Sequence, residues 1–148
     1  MFAFASNLML ALASQCAVLI VEDHVDTADM LRRFLRRNHF SAEVVYGGMA
    51  ALEFLERGQP RCVIIDEMMP DMTGLDLLRQ LKARPEYRHI PAFFYSANFD
   101  WRKQMEAEAL GAKGWFIKGI SNLDELMREV TACCTSDEDG ESSENTAN

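Results

Sequence analysis

Four short apolar runs each end in polar residues of the types that phosphate chemistry uses. Ala17-Val18-Leu19-Ile20-Val21 ends in Glu22-Asp23, Cys62-Val63-Ile64-Ile65 in Asp66, Pro91-Ala92-Phe93-Phe94-Tyr95 in Ser96, and Gly114-Trp115-Phe116-Ile117 in Lys118. Three carboxylates gathered in one place repel one another and require a cation. A few hard oxygen ligands suit Mg2+, which keeps several waters and leaves room for phosphate oxygens. A lysine across from them supplies a positive charge for a phosphoryl oxygen. A hydroxyl and nearby N–H groups supply hydrogen-bond donors to the same oxygens.

That chemistry needs the four ends at one place, and the pattern between the runs predicts how. A short unbroken apolar run closed by a turn signal reads as a buried parallel strand. Met69-Pro70 closes the run at Asp66, because proline disfavours helix at the residue before it and has no N–H to donate. Ala42 to Tyr46 reads as one further strand, followed by Gly47-Gly48. Between the strands, apolar residues recur at helical spacing. These are Met30, Leu31, Phe34 and Leu35, with Asp26 or Thr27 as N-cap; Ala50, Ala51, Leu52 and Leu55; Leu75, Leu77, Leu78 and Leu81 within Gly74 to Ala83; and Trp101, Met105 and Ala109 along one face. The last stretch, Asn122 to Cys134, is expected to turn Leu123, Leu126, Met127 and Val130 inward. Five strand–helix units with short connections predict a parallel α/β sheet covered by helices on both faces. Right-handed crossovers then bring every strand's carboxyl end to one edge, where open α/β sheets bind ligands. A loop-start aspartate that merely caps the next helix is the plainer reading of Asp66, and only the gathering of five such residues at one edge speaks against it.

Composition narrows the function further. A chain of 148 residues with 49% hydrophobic and 26% charged residues fits one soluble domain with a real core. A net charge of -8 argues against a nucleic-acid surface, which would be basic. No glycine-rich phosphate loop follows Val21, which disfavours a nucleotide-binding fold. Cys16 and Cys62 open buried strands, where free cysteine behaves as a small hydrophobe. Cys133 and Cys134 are adjacent, and all four are expected to be reduced thiols in a cytoplasmic protein. Residues 1–15 form an apolar extension, too short to span a bilayer and without the positive start of a signal peptide. They are expected to be an added helix or a frayed extension, with no membrane insertion. Residues 16–134 form the folded domain, and 135–148, acidic and serine-rich, are expected to be a disordered tail. Arg32, Arg33, Arg36 and Arg37 read as a solvated helix face, with partner docking as the sharper alternative. His24, His39 and His89 have no companions at metal-ligand spacing.

The set Glu22-Asp23, Asp66 in Asp66-Glu67-Met68-Met69-Pro70-Asp71-Met72-Thr73-Gly74, Ser96-Ala97, and Lys118 after Gly111-Ala112 resembles the receiver domain of bacterial response regulators, over about Cys16 to Cys134. The resemblance implies a flavodoxin-like doubly wound (βα)5 fold with strand order 2-1-3-4-5. It implies that Asp66 is the phosphoacceptor, attacking the phosphorus of a phosphohistidine on a histidine kinase or phosphotransfer protein to form an aspartyl phosphate. Mg2+ would be held by Asp66, Asp23, the backbone carbonyl of Met68 and, through water, Glu22. Lys118 would pair with the phosphoryl group, and Ser96 and the Ala97 N–H would complete its cradle. Trp115 falls at the aromatic switch position, although a large aromatic there also reads as plain core. Ser96 and Trp115 together would remodel the face of helix 4, strand 5 and helix 5, to which a downstream protein binds. Met68 and Asn98 would flank the approach of hydrolytic water. The family also admits homodimers.

Two departures stand out. The family usually has proline after the lysine, often with a cis bond, and here Lys118 is followed by Gly119. A cis bond before a non-proline residue costs ~3 kcal/mol, so a trans bond and a rearranged loop are expected. No output domain is expected after Cys134. The sequence therefore reads as a stand-alone phosphoacceptor switch that acts by protein binding and is not a classical enzyme. The alternative is a receiver-like interaction module that works without phosphorylation. A Mg2+-dependent aspartyl phosphatase would want a general-acid carboxylate two residues after Asp66, where Met68 stands.

Overall fold

The runs VLIV and CVII have no polar residue to show to water, so a stable fold must cover both of their faces. The computed structural model, which describes residues 18–139, does so with a five-stranded parallel sheet in the order β2-β1-β3-β4-β5. The strands are β1 (Val18–Val21), β2 (Ala42–Val45), β3 (Cys62–Ile65), β4 (Ala92–Ser96) and β5 (Gly114–Ile117). The helices are α1 (Val25–Arg37), α2 (Gly48–Arg57), α3 (Gly74–Ala83), α4 (Trp101–Ala109) and α5 (Leu123–Asp139).

Alternation along each strand sorts side chains into two cores. Leu19, Val21, Val63, Ile65, Ala92 and Phe94 pack with Ala51, Leu52 and Leu55 of α2, Leu75 to Leu81 of α3 and Ala107 of α4. Val18, Ile20, Cys62, Ile64, Phe93 and Tyr95 pack with Leu31 and Leu35 of α1 and Leu126, Met127, Val130 and Cys134 of α5. Cys62 and Cys134 are buried and Cys133 is half-buried. The Cys62 thiol lies against that of Cys134, and this contact, followed by burial, pushes its pKa well up. That keeps it protonated and inert.

Several local expectations change. The first helix begins at Val25 with His24 as N-cap, not Asp26 or Thr27, and no side chain closes that cap. The face of α4 carrying Trp101 and Met105 looks into solvent, with the two residues 57% and 60% exposed. Only Ala107 of this helix is buried. Leu123 is half-buried and packs inward against the second core, as expected. β2 stops at Val45, one residue short of Tyr46. The last helix runs past Cys134 to Asp139, so its first five residues beyond Cys134 are helical where a disordered tail was expected. The expectations for residues 1–15, for Cys16 and for 140–148 lie outside the described residues. Arg32 pairs with Asp29 one turn earlier on α1 at 3.3 Å, as a solvated helix face would have it.

Candidate functional site

Register brings the acids together. Val21 pairs with Ile65 across β1 and β3, so the next residues, Glu22 and Asp66, leave adjacent strands at one level. The Asp66 N–H donates to the Val21 carbonyl at 2.9 Å and locks that alignment. Carboxylate oxygens of Glu22, Asp23 and Asp66 lie within 4.8 Å of one another. On the far side of β3, Ser96 pairs with Ile117, and the Lys118 N–H donates to the Ser96 carbonyl at 2.8 Å. Lys118 reaches back across two strands. Its Nζ is 2.9 Å from Glu22 Oε2 and 3.6 Å from Asp66 Oδ1.

One cation thus faces two buried anions, and the titration of both reflects it. Burial is the main reason that the Glu22 carboxyl is pushed above the usual carboxylate range. The Lys118 hydrogen bond opposes this and the Asp66 charge adds to it. Burial likewise raises Asp66, with the Lys118 charge and a hydrogen bond from the Met68 N–H pulling it down and Asp23 pushing it up. Groups whose ionisation is opposed in this way, at a sheet edge, are typical of functional sites.

The other expected residues surround this cluster. Ser96 is fully buried, and its Oγ has no hydrogen-bond partner among the described residues. Trp115 packs against the core and stacks on Phe94 with ring centroids 4.8 Å apart and planes 9° apart. Its Nε1 is likewise buried without a partner among the described residues. Ala97 and Asn98 are exposed just beyond Ser96. Met68 is 56% exposed, and its backbone N–H donates to Asp66. The Lys118–Gly119 bond is trans, since no peptide bond among the described residues is cis. Gly119 has φ +78, a left-handed conformation that glycine adopts without a steric penalty. That is how the chain turns away after Lys118 without the expected proline.

Packing beneath the site is tight. A Cβ on Gly74 would lie 2.6 Å from the Asp66 carbonyl oxygen and 2.8 Å from the Phe94 ring, so α3 can start here only with glycine. Thr73 caps that helix by accepting from the Asp76 N–H at 3.1 Å.

Two acids went unassigned in the sequence reading. Glu67 is 2% exposed, and its Oε2 accepts from the Leu75 N–H at 2.9 Å. Asp71 accepts from the Gly48 and Met49 N–H groups at 3.2 and 2.9 Å and so closes the start of α2 from a loop 22 residues away. The Met49 bond is the main reason that its carboxyl is lowered. A carboxylate directly after a strand-end acid was the available signal for Glu67. Nothing local marks Asp71, whose partners are distant in sequence.

The donor set fits a hard divalent cation. Three carboxylates lie together while Lys118 pairs with two of them, leaving excess negative charge, and every ligand atom at the cluster is a carboxylate oxygen. No helix among the described residues is long and apolar enough to cross a membrane.

Comparison with known proteins agrees with this geometry. The family model described as response regulator receiver domain matches residues 18–131. The sensory transduction protein RegX3 of Mycobacterium tuberculosis (strain ATCC 25618 / H37Rv) is 35% identical over 112 residues, which cover 76% of this chain and 48% of that protein. The chain thus spans about half the length of this curated relative, and it spans less of others, such as 15% of a Dictyostelium discoideum cyclic-nucleotide phosphodiesterase. Among solved structures, the signal receiver domain of a Syntrophus aciditrophicus signal transduction histidine kinase is 30% identical with TM-score 0.72, covering 80% of this chain and 89% of that one. The Vibrio cholerae chemotaxis protein CheY4 shares the fold with TM-score 0.73 at 24% identity, covering 80% of this chain and 98% of that one.

Proposed function

Because this chain belongs to the response regulator receiver domain family of two-component signalling, we propose that it is a phosphoacceptor switch with Asp66 as the acceptor. The observation that carries the reading is the Asp66 carboxylate at the sheet edge, within 4.8 Å of two further acids and 3.6 Å from Lys118. A carboxylate oxygen of Asp66 attacks the phosphorus of a phosphohistidine on a histidine kinase or phosphotransfer protein. The P–N bond breaks, the imidazole leaves with the bonding pair, and an aspartyl phosphate forms. Little covalent work falls to the protein in such a transfer, which depends on positioning and charge neutralisation. Glu22, Asp23, Asp66 and the Met68 carbonyl are the groups that would hold Mg2+. When bound, the ion neutralises charge on the phosphoryl oxygens.

Lys118 supplies the positive charge from the chain itself. It gives up part of its contact with Glu22 as phosphoryl oxygens take its place. Ser96 Oγ, buried and without a partner among the described residues, donates to the phosphoryl group together with the Ala97 N–H. Trp115, whose Nε1 likewise has no partner there, changes position with it. The change is a population shift of a two-state surface made of α4, β5 and α5. A downstream protein reads that surface, where Trp101 and Met105 stand exposed. The setting is cytoplasmic, and the domain occupies residues 16–134.

Incubation with Mg2+ and acetyl phosphate, followed by intact mass spectrometry, tests the reading. A single phosphoryl adduct that disappears in Asp66→Asn is expected. No adduct, or one that survives in that variant, would favour the module that works without phosphorylation, with which the glycine turn at Gly119 in place of proline is also compatible.

A further inference from the structure

Glu67 is a buried carboxylate for which phosphate chemistry has no use. Asp66 turns into the acid cluster, and Glu67, the next residue, is directed between the starts of α3 and α4. One oxygen accepts the Leu75 N–H in the first turn of α3 at 2.9 Å. The other faces Lys103 Nζ at 3.6 Å. Lys103 is the third residue of α4, and Arg102 stands beside it. Both cations occupy the end of the helix where the macrodipole is positive, and no acid of α4 stands in that turn to offset them. The N-cap Asp100 accepts from the Arg102 N–H at 3.0 Å, and Glu67 adds a second negative charge, from another element, facing Lys103.

Few other contacts hold α4. It buries one side chain, Ala107, and its remaining polar link to α3 is the surface pair of Arg79 with Glu106. The Glu67–Lys103 pair lies deeper, with the Glu67 side chain 3% exposed. We propose that Glu67 is a positioning residue that fastens the first turn of α4 to the strand end carrying Asp66, so that α4 responds to the state of the phosphoacceptor site through this pair. The proposal rests on the reading of Asp66 as phosphoacceptor for its second half. Its first half, the fastening of α4, stands on geometry alone.

The geometry gives the coupling a short path. Asp66 and Glu67 are consecutive, and the Gly74 N–H donates to the Glu67 carbonyl at 3.0 Å. Gly74 in turn abuts the Asp66 backbone. A shift of the Asp66 backbone therefore moves the Glu67 carboxylate, and Lys103 follows it. A hydrogen-bonded buried charge is costly to leave alone, so the pair moves together.

Backbone hydrogen exchange of residues 101–109 tests this in Lys103→Met, Glu67→Gln and the double variant, each with and without Mg2+ and beryllofluoride. In both single variants exchange of this segment is expected to be roughly ten-fold faster than in the wild type, while exchange in β1 and β3 is unchanged. The double variant is expected to be no faster than the singles, because a pair acting as a unit is lost once. Beryllofluoride should alter exchange at 101–109 in the wild type by at least twice as much as in Lys103→Met, with the acetyl phosphate adduct still formed in both. Wild-type exchange rates at 101–109 in Lys103→Met, a substitution at a half-buried side chain outside the core, would overturn the fastening. Equal beryllofluoride responses in wild type and Lys103→Met would overturn the coupling. A wild type that forms no adduct but shows the exchange difference would overturn the phosphoacceptor reading and leave the fastening standing.

Discussion

Replacing Asp66 with asparagine should stabilise the protein when no divalent cation is present. The carboxylate is buried, with one cation favouring its charge and two anions opposing it. Lys118 Nζ lies 3.6 Å from it, and oxygens of Glu22 and Asp23 lie within 4.8 Å. At an effective dielectric of about 20, such an attraction is worth roughly 4.6 kcal/mol and a repulsion at that range roughly 3.5 kcal/mol. Solvent screens much of the Asp23 share, which leaves the charge interactions near balance. The cost of burying the anion then decides the sign, and a net gain of about 1–2 kcal/mol for the neutral amide is expected. For a domain of this size that is an increase in Tm of roughly 2–8 °C. The raised Asp66 pKa fixes the pH dependence. In the window above the ordinary value of 3.8, the folded state holds a proton that the unfolded state has released. Wild-type stability therefore falls as pH rises through that window. The advantage of Asp66→Asn should vanish below the window and grow through it to a plateau at neutral pH. Thermal unfolding in EDTA at several pH values measures this, and adding Mg2+ should raise the wild-type Tm more than that of the variant. A variant no more stable than the wild type at neutral pH in EDTA would refute the account of the site as an over-charged cluster.

Gly74→Ala should cost about 1–3 kcal/mol, because a Cβ there meets the Asp66 carbonyl and the Phe94 ring, and urea unfolding would show it as a lower midpoint. Asp71 is mostly exposed, and its lowered pKa means that its closing of α2 stabilises fully above the ordinary value of 3.8 and is lost as pH falls through the lower folded value. Asp71→Asn should therefore flatten the acid limb of the stability profile, as read by circular dichroism across a pH series. The Met68 thioether accepts hydrogen bonds too weakly to orient a water, so hydrolysis of the aspartyl phosphate should be slow, with a lifetime of minutes or longer. Met68→Asn should shorten that lifetime by about ten-fold, measured by the decay of the mass adduct.

The strand-forming runs and their polar ends were legible from the sequence because parallel strands leave a local mark, an unbroken apolar run with a turn signal. Glu22, Asp23, Asp66, Ser96 and Lys118 could be assigned to one edge for the same reason, since connection handedness leaves only one edge for the carboxyl ends. What local pattern could not carry was everything set by partners far along the chain. Whether Trp101 and Met105 faced the core or solvent depended on how α4 lies on the sheet, and helical spacing is the same either way. Glu67 and Asp71 looked like ordinary loop acids until the fold brought the starts of α3, α4 and α2 to their oxygens. The 2.9 Å approach of Lys118 to Glu22 spans 96 residues of chain. It arises because β1 and β5 flank the two central strands whose ends carry Asp66 and Ser96. Residue types and the edge they occupy follow from local chemistry. Which charges share a partner, and therefore how strongly each is held from ionising, was decided only by the tertiary structure, because burial and long-range distance have no local signature.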